Sequence, residues 1–274
     1  MRGLNKLQLA RPRKRLRHCR FVHQSARAVL RIVAAALTTI ASAEQTMQTE
    51  KFPCPEKLSY RVEWHAITAG TATVNMTRSQ PDAWQTTMDL ESAGMVSRLY
   101  HVLDKYKVLT TGKFCAISAE LDSQEGKHNK YEKISVDAAR QKVDYYERDR
   151  VKNQDSRKEL DAAPCTYDIT GALEELRGVD LQPGKSMTIP ITDGKKIANV
   201  RIDAQSKENI SYQGKNMPSI RYEAFVFDNI LYKRKGRLLI WITDDAARLP
   251  VQMRMQMGFP IGTVNVLLQK QERS

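Results

Sequence analysis

Apolar and polar residues alternate through most of this chain after its first fifth, and this pattern limits the folds it can form. Tyr60, Val62 and Trp64 alternate with polar residues, and a second alternating run follows Ala69-Gly70. A period of two residues places every second side chain on the same face of a strand. The runs on both sides of the glycine therefore predict a β-hairpin over residues 58–78.

Three segments depart from the strand pattern. Apolar residues recur at helical spacing over Met95–Tyr106, which predicts a short amphipathic helix. A second helix is predicted after Asp168, a good N-cap residue, up to Arg177-Gly178. The stretch Asp149–Leu160 is highly charged and predicts an exposed loop.

The remaining segments favour strands. Pro190 lies in one of them, and it cannot donate a hydrogen bond to a neighbouring strand, so it predicts a sheet edge or a bulge. Asp193-Gly194 predicts a hairpin turn after that strand. The fold class is therefore mainly β (α+β): a large curled antiparallel sheet, or incomplete β-barrel, with two short helices.

Net charge is distributed unevenly along the 274 residues. The chain carries +13 in total, but residues 1–43 contribute +10 and contain no Asp or Glu, which leaves +3 for the rest. A near-neutral remainder argues against a nucleic-acid partner. The basic stretch is followed by a mostly apolar run of twelve residues, Ile32–Ala43, that ends in Ala41-Ser42-Ala43. This order predicts a secretory signal peptide over residues 1–43, cleaved before Glu44, and location in the periplasm or another exported compartment.

The predicted domain organisation after the signal peptide is simple. Residues 44–57 form an N-terminal linker, and residues 58–274 form a single β-rich domain. Export makes one disulfide among Cys54, Cys115 and Cys165 feasible, and their spacing leaves all three pairings open. The wide spacing of the cysteines and histidines predicts no metal site, and no cofactor is expected.

Sequence signals for catalysis are few. Common motifs for hydrolases, phosphate binding and dinucleotide binding are absent from the sequence, so the chain is predicted not to be an enzyme. Asp244-Asp245 precedes Arg248, and we interpret this group as a turn with Arg248 as a charge partner rather than as an acid and base. The basic run Lys233–Arg237 is interpreted as a solvated turn, with contact to phospholipid headgroups as the alternative.

Several segments resemble one known family. They are Tyr60–Trp64 with Ala69-Gly70, Tyr167-Asp168 with Arg177, Pro183-Gly184, and Gly236–Pro250, of which Trp241–Pro250 is the most specific. Together they resemble the exported domain-of-unknown-function family 3108 (DUF3108), from about Leu58 to the C-terminus. The resemblance implies a single envelope domain of unassigned activity, with a curled antiparallel sheet similar to that of periplasmic lipoprotein carriers.

The most suggestive functional pattern is a row of methionines. Met253, Met255 and Met257 alternate with polar residues, and Phe259 continues the same spacing. Methionine is flexible and polarizable, and it is common on surfaces that accept varied apolar ligands. Such a row would line a cavity for an acyl chain, or else fill a packed core. The predicted ligand-binding residues are Trp64, Trp241, Met253, Met255, Met257 and Phe259.

The sequence thus predicts an exported, non-catalytic envelope protein that binds an apolar or lipid-like ligand inside a curled sheet. In this hypothesis the helix Met95–Tyr106 controls ligand access, and contact with a membrane is transient. The alternative is a protein–protein interaction module that pairs its open sheet edge with another envelope protein.

Overall fold

The computed structural model describes residues 51–259 and 261–273, and these residues form fourteen β-strands and two α-helices. The first eight strands are β1 (Glu56–Trp64), β2 (Ile67–Gln80), β3 (Ala83–Ser92), β4 (Val102–Thr111), β5 (Ala116–Glu125), β6 (His128–Asp137), β7 (Lys142–Asp149) and β8 (Gln154–Asp161). The other six are β9 (Ser186–Thr192), β10 (Ile197–Tyr212), β11 (Lys215–Ala224), β12 (Gly236–Thr243), β13 (Pro250–Met257) and β14 (Thr263–Arg273). The helices are α1 (Gly94–Leu99) and α2 (Ile169–Gly178). The predicted signal peptide and residues 44–50 of the predicted linker lie outside the described residues.

All fourteen strands belong to one sheet, in the order β8-β7-β6-β5-β4-β3-β2-β1-β14-β13-β12-β11-β10-β9. Every pair of neighbouring strands is antiparallel, and the hydrogen-bonded ladder is not closed into a barrel. Strands β8 and β9 form its two edges. Pro190 lies in β9, so the prediction of an edge at this proline is confirmed. The predicted fold class is confirmed as well.

The sheet curls until its two edges, β8 and β9, approach each other. Lys195, in the turn between β9 and β10, makes ion pairs of 3.1 Å with Glu132 of β6 and 2.9 Å with Glu147 of β7. The Lys158 ammonium of β8 donates a hydrogen bond to the Lys195 carbonyl oxygen. Side-chain contacts, rather than a ladder of backbone hydrogen bonds, therefore connect the two edges of the sheet.

Helix α2 packs against one face of this curled sheet, which we call the inner face. The Asp168 carboxylate accepts hydrogen bonds from the Thr170 and Gly171 backbone amides, so the predicted N-cap is confirmed. Ala172 and Leu176 are buried in the main hydrophobic cluster together with strand residues such as Ile240. Helix α2 therefore fills part of the interior that the curled sheet encloses.

Antiparallel pairing gives the sheet two ends along the strand direction. The α1 end carries the connections at residues 65–66, 93–101, 126–127, 150–153, 193–196, 225–235 and 258–262. The α2 end carries those at residues 81–82, 112–115, 138–141, 162–168, 179–185, 213–214 and 244–249. The two ends differ in burial and in chemistry.

The predicted helix over Met95–Tyr106 is wrong in extent. Helix α1 covers only Gly94–Leu99 and buries none of its residues, and β4 begins at Val102. Val102, Asp104 and Tyr106 also alternate in strand fashion, and β4 gains ladder bonds to both β3 and β5. Backbone hydrogen bonds to two neighbouring strands stabilise the strand conformation of this segment more than its helical spacing of apolar residues stabilises a helix. The long helix that we expected to control ligand access is therefore not present at these residues.

The predicted exposed loop over Asp149–Leu160 is also wrong in part. Only residues 150–153 form a turn, and β8 follows as a strand paired with β7. Nearly every side chain of β8 is exposed. Because an edge strand needs a partner on one side only, a charged segment with no apolar face can still complete the ladder.

One disulfide joins Cys115 to Cys165. It links the turn before β5 to the segment that precedes α2, both at the α2 end. The third cysteine of the described residues, Cys54, is buried. The structure thus selects one of the three pairings that the sequence left open.

Candidate functional site

The methionine row lies on the inner face of β13. Met253 is paired with Ile240 and Met255 with Leu238 of the neighbouring strand β12. Directly opposed residues in an antiparallel pair point to the same face, and Ile240 belongs to the hydrophobic cluster that contains α2. All three predicted methionines, Met253, Met255 and Met257, are half-buried rather than fully enclosed.

Two cross-strand rows extend this surface toward β1. One row pairs Met253 with Val266 of β14, and Val266 with Val62 of β1. The next row pairs Met255 with Val264, and Val264 with Trp64. We call this surface the inner apolar face, and its residues are Val62, Trp64, Leu238, Met253, Met255, Met257, Val264 and Val266.

Burial on this face decreases toward the α1 end. Leu58, Tyr60 and Leu268, which lie nearer the α2 end, are at most 5% exposed. Val62 and Trp64, one and two rows further along β1, are half-buried. The apolar surface is therefore covered near the α2 end and partly open near the α1 end.

Two predicted site residues lie elsewhere. Trp241 pairs with Gln252, so it faces the side of the sheet opposite Met253, and its indole N–H donates a hydrogen bond of 2.8 Å to Glu208. Phe259 is fully exposed in the connection after β13, because the strand ends at Met257 and its alternation ends there too. The structure thus brings together Trp64, Met253, Met255 and Met257, and it separates Trp241 and Phe259 from them.

The inner face also has a charged half, which sequence reasoning missed. Glu132 of β6 pairs with Glu147 of β7, on the face that carries buried Ile134 and Tyr145. Lys130 donates a hydrogen bond of 3.0 Å to Glu147, and Tyr145 donates one of 2.9 Å. Because alternating charged residues also occur on solvent-facing strand surfaces, their inward position has no distinct sequence signal.

The two carboxyl groups of the charged half have shifted pKa values. Burial raises the pKa of the Glu132 carboxyl, and the nearby Lys195 opposes the rise. Burial would also raise the pKa of Glu147, but hydrogen bonds from Lys195, Lys130 and Tyr145 outweigh it and lower this pKa to about 2. Glu147 is therefore the ionised partner that both lysines share.

A carboxyl pair lies nearer the α1 end on β4 and β5. Burial and the neighbouring Asp104 raise the pKa of Glu125. Asp104 is 8% exposed, and its Oδ1 atom is buried without a hydrogen-bond partner. The pair is polar, but no activated nucleophile accompanies it in the described contacts, so it defines no reaction by itself.

A buried ion network anchors the C-terminal part of α2. Arg177 makes ion pairs of 2.5 Å with Glu56 and 2.8 Å with Glu174, and all three side chains are at most 5% exposed. Its guanidinium carbon lies 4.2 Å from the centre of the Phe52 ring. Burial raises the pKa of Glu174, and the Arg177 charge opposes the rise. The network joins α2 to β1 at the α2 end.

The Asp244-Asp245 segment contributes to the same anchor. Asp245 accepts hydrogen bonds from the Ala247 and Arg248 backbone amides, in agreement with the predicted turn. The prediction that Arg248 is a charge partner of the two aspartates is wrong. Its guanidinium instead donates hydrogen bonds to the carbonyl oxygens of Arg177 and Val179 at the end of α2, where unpaired helix carbonyls are available.

Two surface clefts lie away from the inner apolar face. A cleft of about 450 Å³ lies on β6–β8 and includes Tyr146, Arg157 and Glu159. Another, of about 300 Å³, lies at the α2 end beside Phe52, Arg177 and Arg248. Neither contains a residue of the methionine row. Among the described residues, no group of three or more His, Cys, Asp or Glu is arranged to hold a metal ion, and neither helix is long and apolar enough to cross a membrane.

Comparison with known proteins establishes the family. The model of the family described as "Protein of unknown function (DUF3108)" matches residues 59–269, and the chain belongs to this family. No curated protein matches the chain. The family assignment confirms the resemblance inferred from the sequence, but the family carries no established activity.

One solved structure shows a similar fold. A β-barrel-like protein of the DUF1849 family from Brucella abortus is similar, with a TM-score of 0.56 and 10% identity; the match covers 81% of this chain and 98% of that one. A DUF1089 family protein from Pseudomonas aeruginosa has a TM-score of 0.29 with 8% identity, covering 75% and 90%. The first likeness shows a shared β-barrel-like fold, and the second is too low to support a conclusion.

Proposed function

We propose that this protein is an exported, non-catalytic envelope protein that binds an apolar, lipid-like ligand on the inner apolar face. The observation that carries the proposal is the half-buried state of Trp64, Met253, Met255 and Met257 on one continuous surface. A packed core would bury these side chains fully, as it does around α2. The predicted signal peptide supports a periplasmic location.

The physical basis of binding would be burial of the ligand's apolar surface. Each Å² of apolar surface removed from water stabilises the complex by about 25 cal/mol. Methionine side chains adapt to ligands of different shape because they are unbranched and have several rotatable bonds. The acyl chain would lie along the rows from the α1 end toward α2, where Leu58 and Tyr60 are already covered.

The two sheet edges favour ligand binding over the alternative of pairing with another protein. The backbone of Tyr167 donates to the Pro190 carbonyl and accepts from the Thr192 amide, so part of the β9 edge already has a partner. The β8 edge carries exposed charged side chains along most of its length. Charged residues on an edge discourage strand addition.

The direct test is binding of a fluorescent fatty acid, 11-(dansylamino)undecanoic acid, to the purified protein. We expect Met255→Glu to lower its affinity by at least about tenfold, since a carboxylate would enter an apolar contact surface. Gln256→Glu is the matched control, because it adds the same side chain one residue away on the opposite face of β13. The control should bind the probe as the native protein does.

Mass spectrometry of organic extracts from the purified protein identifies the natural ligand. The native protein is expected to release a lipid that the Met255→Glu variant lacks. Circular dichroism and thermal unfolding of both variants confirm that they are folded. Absence of dansyl-acid binding to the native protein, together with no extracted lipid, would contradict the proposal, as would equal loss of binding in both folded variants.

A further inference from the structure

Exposed apolar side chains are concentrated at one end of the sheet. Of the eight large apolar side chains that are exposed among the described residues, seven lie in or beside the α1-end connections. They are Ile67, Met95, Leu99, Tyr100, Val151, Ile230 and Phe259. The eighth, Ile169, is the first residue of α2. Exposed apolar side chains that are grouped at one end of a protein are typical of interaction sites.

The exposure of individual side chains in this group is large. Leu99 is 75% exposed, Met95 is 70% exposed, and Phe259 is fully exposed. The seven residues come from five separate connections rather than from one strand or one groove. Apolar side chains that project from several turns suit a broad, deformable surface, whereas a peptide or helix needs a continuous groove.

A basic cluster lies at the same end. Lys233, Arg234 and Lys235 are all exposed in the connection 225–235. Burial raises the pKa of the Tyr100 hydroxyl, and the positive charge of Arg234 opposes this rise. The connections 225–235 and 93–101 are at the same end of the sheet, so the basic cluster and the apolar side chains both lie at the α1 end.

We propose that this surface docks the protein onto a bilayer that contains anionic phospholipids. We call it the α1-end rim, and its residues are Ile67, Met95, Leu99, Tyr100, Val151, Ile230, Phe259, Lys233, Arg234 and Lys235. Apolar side chains enter the boundary between headgroups and acyl chains, and lysine and arginine pair with lipid phosphates. The charge of the cluster is what selects an anionic surface.

The proposal goes beyond ligand binding by the inner apolar face. That face is most open toward the α1 end, where Trp64 is half-buried. A bilayer held at the α1-end rim would therefore lie next to the open part of the face, and an acyl chain could pass between the two with little exposure to water. Docking and ligand binding can nonetheless be measured separately.

The test is co-sedimentation of the full chain with vesicles of phosphatidylcholine and phosphatidylglycerol in equal parts, and with phosphatidylcholine vesicles alone. The charge variant combines Lys233→Glu, Arg234→Glu and Lys235→Glu. Its matched control combines Lys113→Glu, Lys185→Glu and Lys215→Glu, which changes net charge equally through exposed lysines at the α2 end. The apolar variant combines Leu99→Asp with Phe259→Asp, and its control is Ile169→Asp.

We expect the native protein to sediment with the anionic vesicles and much less with the neutral ones. The charge variant should lose more than about tenfold in apparent affinity, and its control should lose far less. The apolar variant should also lose binding, while Ile169→Asp keeps it. All variants should still bind the dansyl fatty acid in solution, which separates failure of docking from failure of the proposed function.

Three results would overturn the inference. The first is that the native protein does not sediment with anionic vesicles, and the second is that it sediments equally with neutral ones. Equal losses in the α1-end charge variant and its α2-end control would show that net charge alone attracts the protein to the vesicles.

Discussion

The two ends of the sheet use their side chains in opposite ways. At the α2 end, Arg177, Glu56 and Glu174 form a buried ion network, and the Cys115–Cys165 disulfide closes a chain segment beside it. At the α1 end, side chains such as Leu99 are mostly in solvent although they are apolar. The α2 end thus buries charged side chains in internal contacts, whereas the α1 end leaves apolar side chains exposed to solvent. We infer from this difference that the α2 end contributes more to the stability of the fold, and that the α1 end carries the proposed docking surface.

The comparison also explains where the family resemblance lies. Arg177 and the segment 244–250, which carry much of the resemblance, meet at the α2 end. The Arg177 side chain donates a hydrogen bond to the Arg248 carbonyl oxygen, and the Arg248 side chain donates one to the Arg177 carbonyl oxygen. Their roles in the structure are an anchor for α2 and a tight turn. Motifs with such structural roles indicate that two proteins share a fold. They do not indicate a shared function, because function depends on the residues of a site.

The largest effect is expected from removing the central cation of the α2 end. Arg177→Met leaves Glu56 and Glu174 buried without their partner, so we expect unfolding free energy to fall by about 3–5 kcal/mol. Urea denaturation at neutral pH measures the change. Adding Glu56→Gln and Glu174→Gln to the same variant should restore much of the loss, because the uncompensated charges are then gone. A loss below about 1 kcal/mol would show that this network does not anchor the α2 end.

A smaller loss is expected from breaking the disulfide at the same end. Cys115→Ser with Cys165→Ser frees a loop whose ends are 50 residues apart, and unfolding free energy should fall by about 2–4 kcal/mol. Thermal unfolding measures the change. Dithiothreitol should lower the stability of the native protein by a similar amount and leave the double variant unchanged. If the reductant destabilises both proteins equally, the loss does not come from this bond.

The ion pairs that join the two edges of the sheet should show a pH-dependent effect. The pKa of Glu147 is lowered to about 2, so its ionised form stabilises the folded protein above the unfolded pKa of about 4.3. This stabilisation is lost as pH falls toward the folded pKa. Glu147→Gln should therefore lower unfolding free energy by about 1 kcal/mol at neutral pH, and the difference should shrink in acid.

The matched control for this prediction lies on the neighbouring strand. Glu159→Gln removes a carboxylate that pairs with Arg140 and Lys142 on the exposed surface of β8. Its effect should stay within about 0.5 kcal/mol. A control variant as unstable as Glu147→Gln would mean that the inner ion pairs do not differ from ordinary surface pairs.

The smallest effect is expected at the α1 end. Met95→Ser and Leu99→Ser each remove an apolar side chain that is at least 70% exposed, so each should change unfolding free energy by less than about 0.5 kcal/mol. Leu176→Ala, a buried apolar change in α2, should cost about 2–5 kcal/mol in the same urea measurement. Large losses from the two α1 variants would remove the contrast between the ends.

Local pattern predicted most of the fold. The alternation around Trp64 predicted the hairpin of β1 and β2, but its turn lies at residues 65–66, and Ala69-Gly70 lies inside β2 instead. Asp168 predicted the start of α2, and Pro190 predicted an edge strand. The errors fell where a short pattern fits two structures. Tyr106 satisfies both helical and strand spacing, and the choice was made by ladder bonds to two neighbouring strands.

The candidate site was less predictable than the fold. Met253 and Trp64 were identified separately, and the register of β14 between them showed that they share a surface. Trp241 was misplaced because alternation distinguishes two faces of β12 without showing which one is covered. The inward carboxylate of Glu132 was missed because a charged residue on a strand normally indicates the solvent side.

The sequence by itself determined most of the strand pattern, the start of α2, the edge at Pro190 and the family, because each depends on neighbouring residues or on a local motif. Only the tertiary structure decided the Cys115–Cys165 pairing, the inner face of each strand and the contrast between the two ends. These depend on contacts between residues far apart in the chain. The direction in which the sheet curls determines which side chains such contacts cover.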